Sequence, residues 1–367
     1  MSQLPDNLPA CLNDSKKIEA IRKAYSTLLK IQEAISADIG TTKASRDSRD
    51  QKLMHVRILG YLIREGPSLT ASEFVAKEVN KIPEGDEDEI DKAGERYFHH
   101  YLRIFKKSGG RTPGFSLSTC EAFETRKAIV MEMLSLADKP PEDQKEAKRQ
   151  ALVRDDFQCI VSGEYDSRLV KQNDDLRAAA YRVSPPRVCK TQCAYIIPSS
   201  TNKNILDSKD KEHAASFWAI LGCFGYTGFP EKMTGKKVHN LDNVMTLGME
   251  IHDSFDQLDM WFEAVKGSPN TYTIKATDTV FLAKCKAAGC KITLTSADPR
   301  LPLPNPEYLE IHAACCRVAH LSGAGEYMDK VLEDLEDTRV LSQDGSSARI
   351  LSFVLQKEVY AYDLITV

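Results

Sequence analysis

The chain has no CxxC pair, no long apolar run, no internal repeat and no low-complexity tract. Each absence excludes something. Its 10 cysteines are scattered, so neither a disulfide framework nor a conventional zinc knuckle is supported. Cys189 and Cys193 lie four apart, but no partner pair follows at zinc-ligand spacing. The cysteines read instead as small buried hydrophobes in a reducing compartment. No stretch is long and apolar enough to span a bilayer. The opening Met1-Ser2-Gln3-Leu4-Pro5-Asp6 lacks the charged start and apolar stretch of a secretory signal. The expectation is an intracellular protein, cytoplasmic or nuclear, with no membrane contact. The positive excess of a dedicated nucleic-acid binder is also missing: the formal net charge is −4 and the pI about 6.1. Any contact with nucleic acid would have to come from a local patch.

The 367 residues exceed what one hydrophobic core usually organises, so two or more packed units are expected. A hydrophobic share of 42% with 28% charged residues fits a globular protein rather than a disordered chain. Periodicity predicts an α+β fold in three parts: a helical N-terminal region over 1–141, a mixed core over 142–275, and a C-terminal extension over 276–367 packed on that core.

In the first part, Ile18, Ile21, Tyr25, Leu28 and Ile35 form one stripe behind a cap at Asp14 or Ser15. A polar break at Ser45, Asp47 and Ser48 separates it from a helix carrying Leu53, Val56, Leu59 and Ile63, which Gly66-Pro67 ends. Ser72 to Ile82 reads as a shorter helix. Another follows the acidic run at 84–89, where negative charge suits a helix start. Cys120 to Leu136 reads as the last of this part. Lys106, Lys107 and Arg111 beside Gly109-Gly110 read as a solvated loop.

In the middle part, a helix is expected over Lys145–Asp155 and a strand over Phe157–Ser162, followed by a turn at Gly163. A short strand over Cys193–Ile197 is closed by Pro198. Ala214 to Leu221 reads as a helix with Phe217 and Trp218 buried. A second short strand and a helix share the region Asn243–Phe255. Trp261–Ala264 and Thr271–Ile274 read as paired strands turning at Pro269-Asn270. Beyond them come an extended proline segment at 301–306 and helices over Glu307–Leu321 and Glu326–Leu335.

Three separated elements carry a resemblance. They are Arg154-Asp155-Asp156-Phe157-Gln158-Cys159-Ile160-Val161-Ser162-Gly163, then Ala194-Tyr195-Ile196-Ile197-Pro198, then Asn243 with Ile251-His252-Asp253-Ser254-Phe255-Asp256. In order and spacing they resemble the fungal HNH (ββα-metal) endonuclease-domain family. Pro304 through Gly323 and Leu341 through Ser347 look like the tail that follows the core in such proteins. The resemblance implies divalent-metal-dependent phosphodiester hydrolysis, with Mg, Mn or Zn as cofactor and nucleic acid as partner. In that family a strand histidine takes a proton from water, an asparagine orients the water, and a helix histidine holds the cation. Carried over, these positions are Tyr195, Asn243 and His252, with His252 the metal ligand.

The departures are as telling. Tyr195 stands where the base histidine belongs, and a tyrosine of pKa about 10 is protonated at neutral pH. Loss of general-base catalysis costs roughly 10²- to 10⁴-fold. Ala194 offers no ligand where many such cores place one, leaving Asp253 and Asp256 to complete a shell around His252. Each residue also has a plain reading: Asn243 as a helix cap, Tyr195 as a buried aromatic, His252 as a structural histidine. His239 is either a substitute base or a surface histidine. Cys193 shares a strand face with Tyr195, so it is either a nucleophile paired with His252 or a buried thiol. Lys203, Lys209, Lys211, Lys232, Lys236 and Lys237 either meet phosphates or form a solvated basic loop. Three functions follow: an HNH-like hydrolase, degenerate or working; a repurposed enzyme acting on a small molecule; and a non-catalytic binding module.

Overall fold

The computed structural model describes residues 3–9, 17–37, 42–106, 140–202, 208–278, 281–285 and 288–337. The expected helix over 120–136, Lys107, Arg111, Lys203 and the 341–347 element lie outside the described residues. The fold is α+β. Contacts divide the chain into two units, each assembled from separate stretches: 1–108, 203–230 and 314–367 in one, 109–202 and 231–313 in the other. This division differs from the sequential one drawn from periodicity. The reason is that residues 208–223 pack among N-terminal helices that lie far away in sequence.

In chain order the first helices are α1 (Lys17–Ala37), α2 (Lys43–Glu65), α3 (Leu69–Lys81) and α4 (Glu87–Tyr97). A π-helical segment, Phe98–Leu102, continues α4. The stripe Ile18, Ile21, Tyr25, Leu28 and Ile35 on α1 is buried as its period predicts. The polar residues 45–48 are not a break. They form the first turns of α2, whose N-cap Thr42 accepts a hydrogen bond from Ser45 N at 3.1 Å. Ser68 and Asp86 cap α3 and α4 in the same way. Helices α2 and α4 approach closely at Gly94, where a Cβ would lie 2.5 Å from the Cβ of His55. In the same unit, Phe217 and Phe224 add ring contacts to Phe105 and Tyr101. Ser68 Oγ donates to Phe224 O at 2.7 Å. Trp218 is half-buried rather than buried.

The second unit begins with α5 (Gln144–Arg154), β1 (Tyr165–Asp166), α6 (Ser167–Gln172), α7 (Asp174–Ala180), β2 (Val188–Cys189) and β3 (Thr191–Tyr195). After α8 (Ser208–Cys223), which belongs to the first unit, come β4 (Val244–Gly248), α9 (Met249–Asp256), β5 (Met260–Ala264), β6 (Thr271–Ala276) and β7 (Lys291–Thr293). Helices α10 (Pro306–Ser322) and α11 (Ala324–Asp337) close the described chain. Strands β1 and β2 pair in parallel. Strands β5, β6 and β7 form an antiparallel meander, turned between β5 and β6 at Asn270 with φ of 52°. Two expectations fail here. Residues 157–162 are a turn, because Asp156 and Phe157 adopt left-handed backbone (φ 53° and 60°) and only Gln158 bridges to Tyr165. Residues 244–248 are a strand, and the helix begins at Met249.

The element that positions the candidate site is the antiparallel hairpin of β3 and β4. It pairs Tyr195 with Val244, Cys193 with Thr246 and Gln192 with Leu247. Helix α9 follows β4 directly. Side chains alternate across a strand, and the two faces receive different helices. Cys193, Tyr195 and Val244 join a buried cluster with Ala147, Ala151 and Leu152 of α5. Gln192 faces α9, where it meets His252.

Candidate functional site

Arg154 anchors the region, and motif reasoning gave it no role. Its side chain is fully buried and all five of its N–H donors are used. Nε and Nη2 grip both carboxylate oxygens of Asp155 at 2.8 and 3.0 Å. Nη1 donates to Leu241 O at 2.6 Å and Pro302 O at 3.2 Å, and Nη2 donates to Val244 O at 2.8 Å. Asp155 also accepts from Thr246 N at 2.9 Å. This pair ties the end of α5 to the approach to β4 and to the proline segment. The signal available in the sequence was the Arg154-Asp155 dipeptide at the end of an amphipathic helix.

Asn243 lies just ahead of β4 and is fully buried. Its Oδ1 accepts from Ile197 N at 2.9 Å. Its Nδ2 donates to Ile197 O and Val238 O, each at 3.0 Å. It caps no helix; the side chain clamps the end of the β3 strand to the loop before β4. Held this way, the amide is directed at main-chain groups of the loop.

Tyr195 sits at the end of β3 with 5% of its surface exposed. Its hydroxyl lies 2.7 Å from His239 Nδ1, and the two rings meet edge to face. Burial pushes the phenol pKa up, and Cys193 and Asp143 add to that effect. The hydroxyl therefore stays protonated and cannot accept a proton from water. His239, half-buried, is not an isolated surface histidine.

His252 lies on α9 with 1% exposure. Its Nδ1 meets Gln192 Oε1, an acceptor-only atom, so Nδ1 carries the hydrogen. Its Nε2 faces Asp256 Oδ2 at 3.2 Å, one helical turn along. Asp253 is exposed on the same helix.

The expected site residues are thus neighbours in the chain trace but not in chemistry. Tyr195 and Cys193 point to the α5 face of the hairpin, and His252 lies on the α9 side. A Cys193–His252 nucleophile pair is not formed. The donor set does not fit the divalent cation that the HNH resemblance implies. Asp256 lies along the direction in which Nε2 would bind a metal, Ala194 supplies no donor, and the imidazole is closed off from water. Among the described residues no group of three or more His, Cys, Asp or Glu side chains could hold an ion. No helix among the described residues is long and apolar enough to cross a membrane.

No family model, no curated protein and no solved structure matches this chain.

Proposed function

We propose that the protein is a nuclease-like ββα module that binds rather than cuts. The HNH resemblance supplies the frame: an antiparallel hairpin followed at once by a helix, with Asn243 and His252 at the motif spacing. One observation carries the choice of binding over cutting. Tyr195 is a protonated phenol turned away from His252, so no proton acceptor at the motif position shares a face with the expected ligand. Asn243 and His252 are engaged in holding the hairpin, its loop and α9 together, which is work a non-catalytic scaffold still needs.

Nucleic acid is the partner in this reading, because the frame belongs to a family that grips phosphodiesters. The test is an electrophoretic shift with single- and double-stranded DNA and RNA across a salt series. The expected result is salt-dependent retention with every strand left intact. Absence of retention at low salt rejects the reading.

One observation favours a second reading, an enzyme acting on a small molecule. The Tyr195–His239 contact fixes an imidazole beside a phenol, a pairing suited to proton transfer. A thermal-shift screen of metabolites in which wild type responds and His239→Ala does not would select this reading over the first.

A further inference from the structure

Between α7 and β2 the chain makes one excursion, Tyr181-Arg182-Val183-Ser184-Pro185-Pro186-Arg187, in which every residue is exposed. Its ends are held. Arg182 N donates to Ala179 O at 3.3 Å, Arg187 N donates to Ala180 O at 3.2 Å, and Arg187 O accepts from Tyr165 N of β1 at 3.0 Å. Even its large apolar side chains stand in solvent, with Tyr181 60% and Val183 49% exposed. The loop is therefore presented from a fixed neck rather than packed down on the unit.

The charge around it is unusual for this protein. Residues 168–190 carry six cationic side chains (Arg168, Lys171, Arg177, Arg182, Arg187, Lys190) and two acidic ones (Asp174, Asp175). That is a net +4 in a chain whose total is −4. Asp174 is already paired with Arg177 at 2.7 Å.

Ser184 lies at the middle of this loop. Its hydroxyl is followed by Pro185, which has no N–H to satisfy, and Arg187 stands three residues on. A proline directly after the acceptor and a cation at the third position are what proline-directed serine/threonine kinases select. We propose that Ser184 is a phosphorylation site for a kinase of that class. In the step, Ser184 Oγ bonds to the γ-phosphorus of ATP and the bond from that phosphorus to the β,γ-bridging oxygen breaks. ADP leaves with the electron pair, and the hydroxyl proton passes to the kinase's catalytic carboxylate. The product adds a charge of about −2, which lowers the segment from +4 to about +2. The phosphate oxygens lie close in sequence to Arg182 and Arg187, whose guanidinium groups suit a phosphate. Arg187, which now donates to Ser162 O at 3.1 Å, would be drawn toward the new anion. None of this depends on the binding reading, because the acceptor site stands apart from Tyr195, Asn243 and His252.

The test incubates the full chain with a cyclin-dependent or mitogen-activated kinase and Mg-ATP and locates phosphate by peptide mass spectrometry. A synthetic peptide spanning 177–191 is run in parallel. The expected result is one phosphate on Ser184 in both, absent from Ser184→Ala and Pro185→Ala and slowed in Arg187→Ala. Phosphate on the peptide but not on the folded chain overturns the proposal, because the loop would then not be presented. Phosphate on neither, or only at other residues, overturns it because the segment would not be a substrate.

Discussion

Replacing Arg154 with methionine isolates the contact on which the geometry of the hairpin depends. The substitution keeps most of the aliphatic volume, so the cavity contribution is small. It removes five hydrogen bonds and the counter-charge of Asp155, and leaves three carbonyl oxygens, on Leu241, Val244 and Pro302, without this donor. Breaking a buried ion pair by deleting one partner costs about 3–5 kcal/mol, and Thr246 N still holds Asp155, which favours the lower end. The chain has two tryptophans, Trp218 in the first unit and Trp261 in the second. In a Trp218→Phe background, Trp261 fluorescence during urea denaturation reports the second unit by itself. The expected shift is about 3 kcal/mol in that unit's transition. Adding Asp155→Leu should recover much of the loss, since removing both charges relieves the unpaired carboxylate. A loss below about 1 kcal/mol would refute the claim that this pair organises the site.

Asn243→Ala strands the Ile197 N–H together with the Ile197 and Val238 carbonyls. A loss of about 2–4 kcal/mol is expected in the same Trp261 transition; a change within error would show that water replaces the amide. His312 on α10 stacks on Phe255 at 3.7 Å, donates from Nε2 to Phe255 O at 3.2 Å, and is pushed down to about 3 by burial. The folded state therefore keeps it neutral, while the unfolded chain takes up a proton near the ordinary value of about 6.5. Stability should fall as pH drops through that window, by about 1 kcal/mol between about pH 7 and about pH 5.5. Urea titrations of wild type and His312→Gln at both pH values measure it, and an equal pH dependence in the two would remove His312 from the account.

Much of the fold was legible because it rests on local rules. The apolar stripe of α1, the caps of α3 and α4, the meander turning at Asn270 and the helix after the proline segment all follow from period and turn chemistry. What was not legible is tertiary. The α5–β1 connection carries apolar residues that look strand-like, but the hydrogen bond from Phe157 N to Leu152 O at 2.7 Å turns the chain back before a strand can form. The polar start of α2 looked like a break because capping by Thr42 outweighs the weak propensity of a Ser- and Asp-rich turn. For the candidate site, strand alternation placed Cys193 and Tyr195 on one face as expected. It could not show that α9 covers the other face, nor that His239 returns to meet Tyr195 across 44 positions. Arg154 was invisible for the same reason: its partners at Leu241, Val244 and Pro302 lie more than 80 residues away.

The most direct test of the claim that this scaffold does not cut is a supercoiled-plasmid nicking assay on the purified full chain, with Mg, Mn and Zn each supplied in excess. The account predicts plasmid that stays supercoiled with every metal, and no difference between wild type and His252→Ala. Metal-dependent nicking by wild type that disappears in His252→Ala would contradict it.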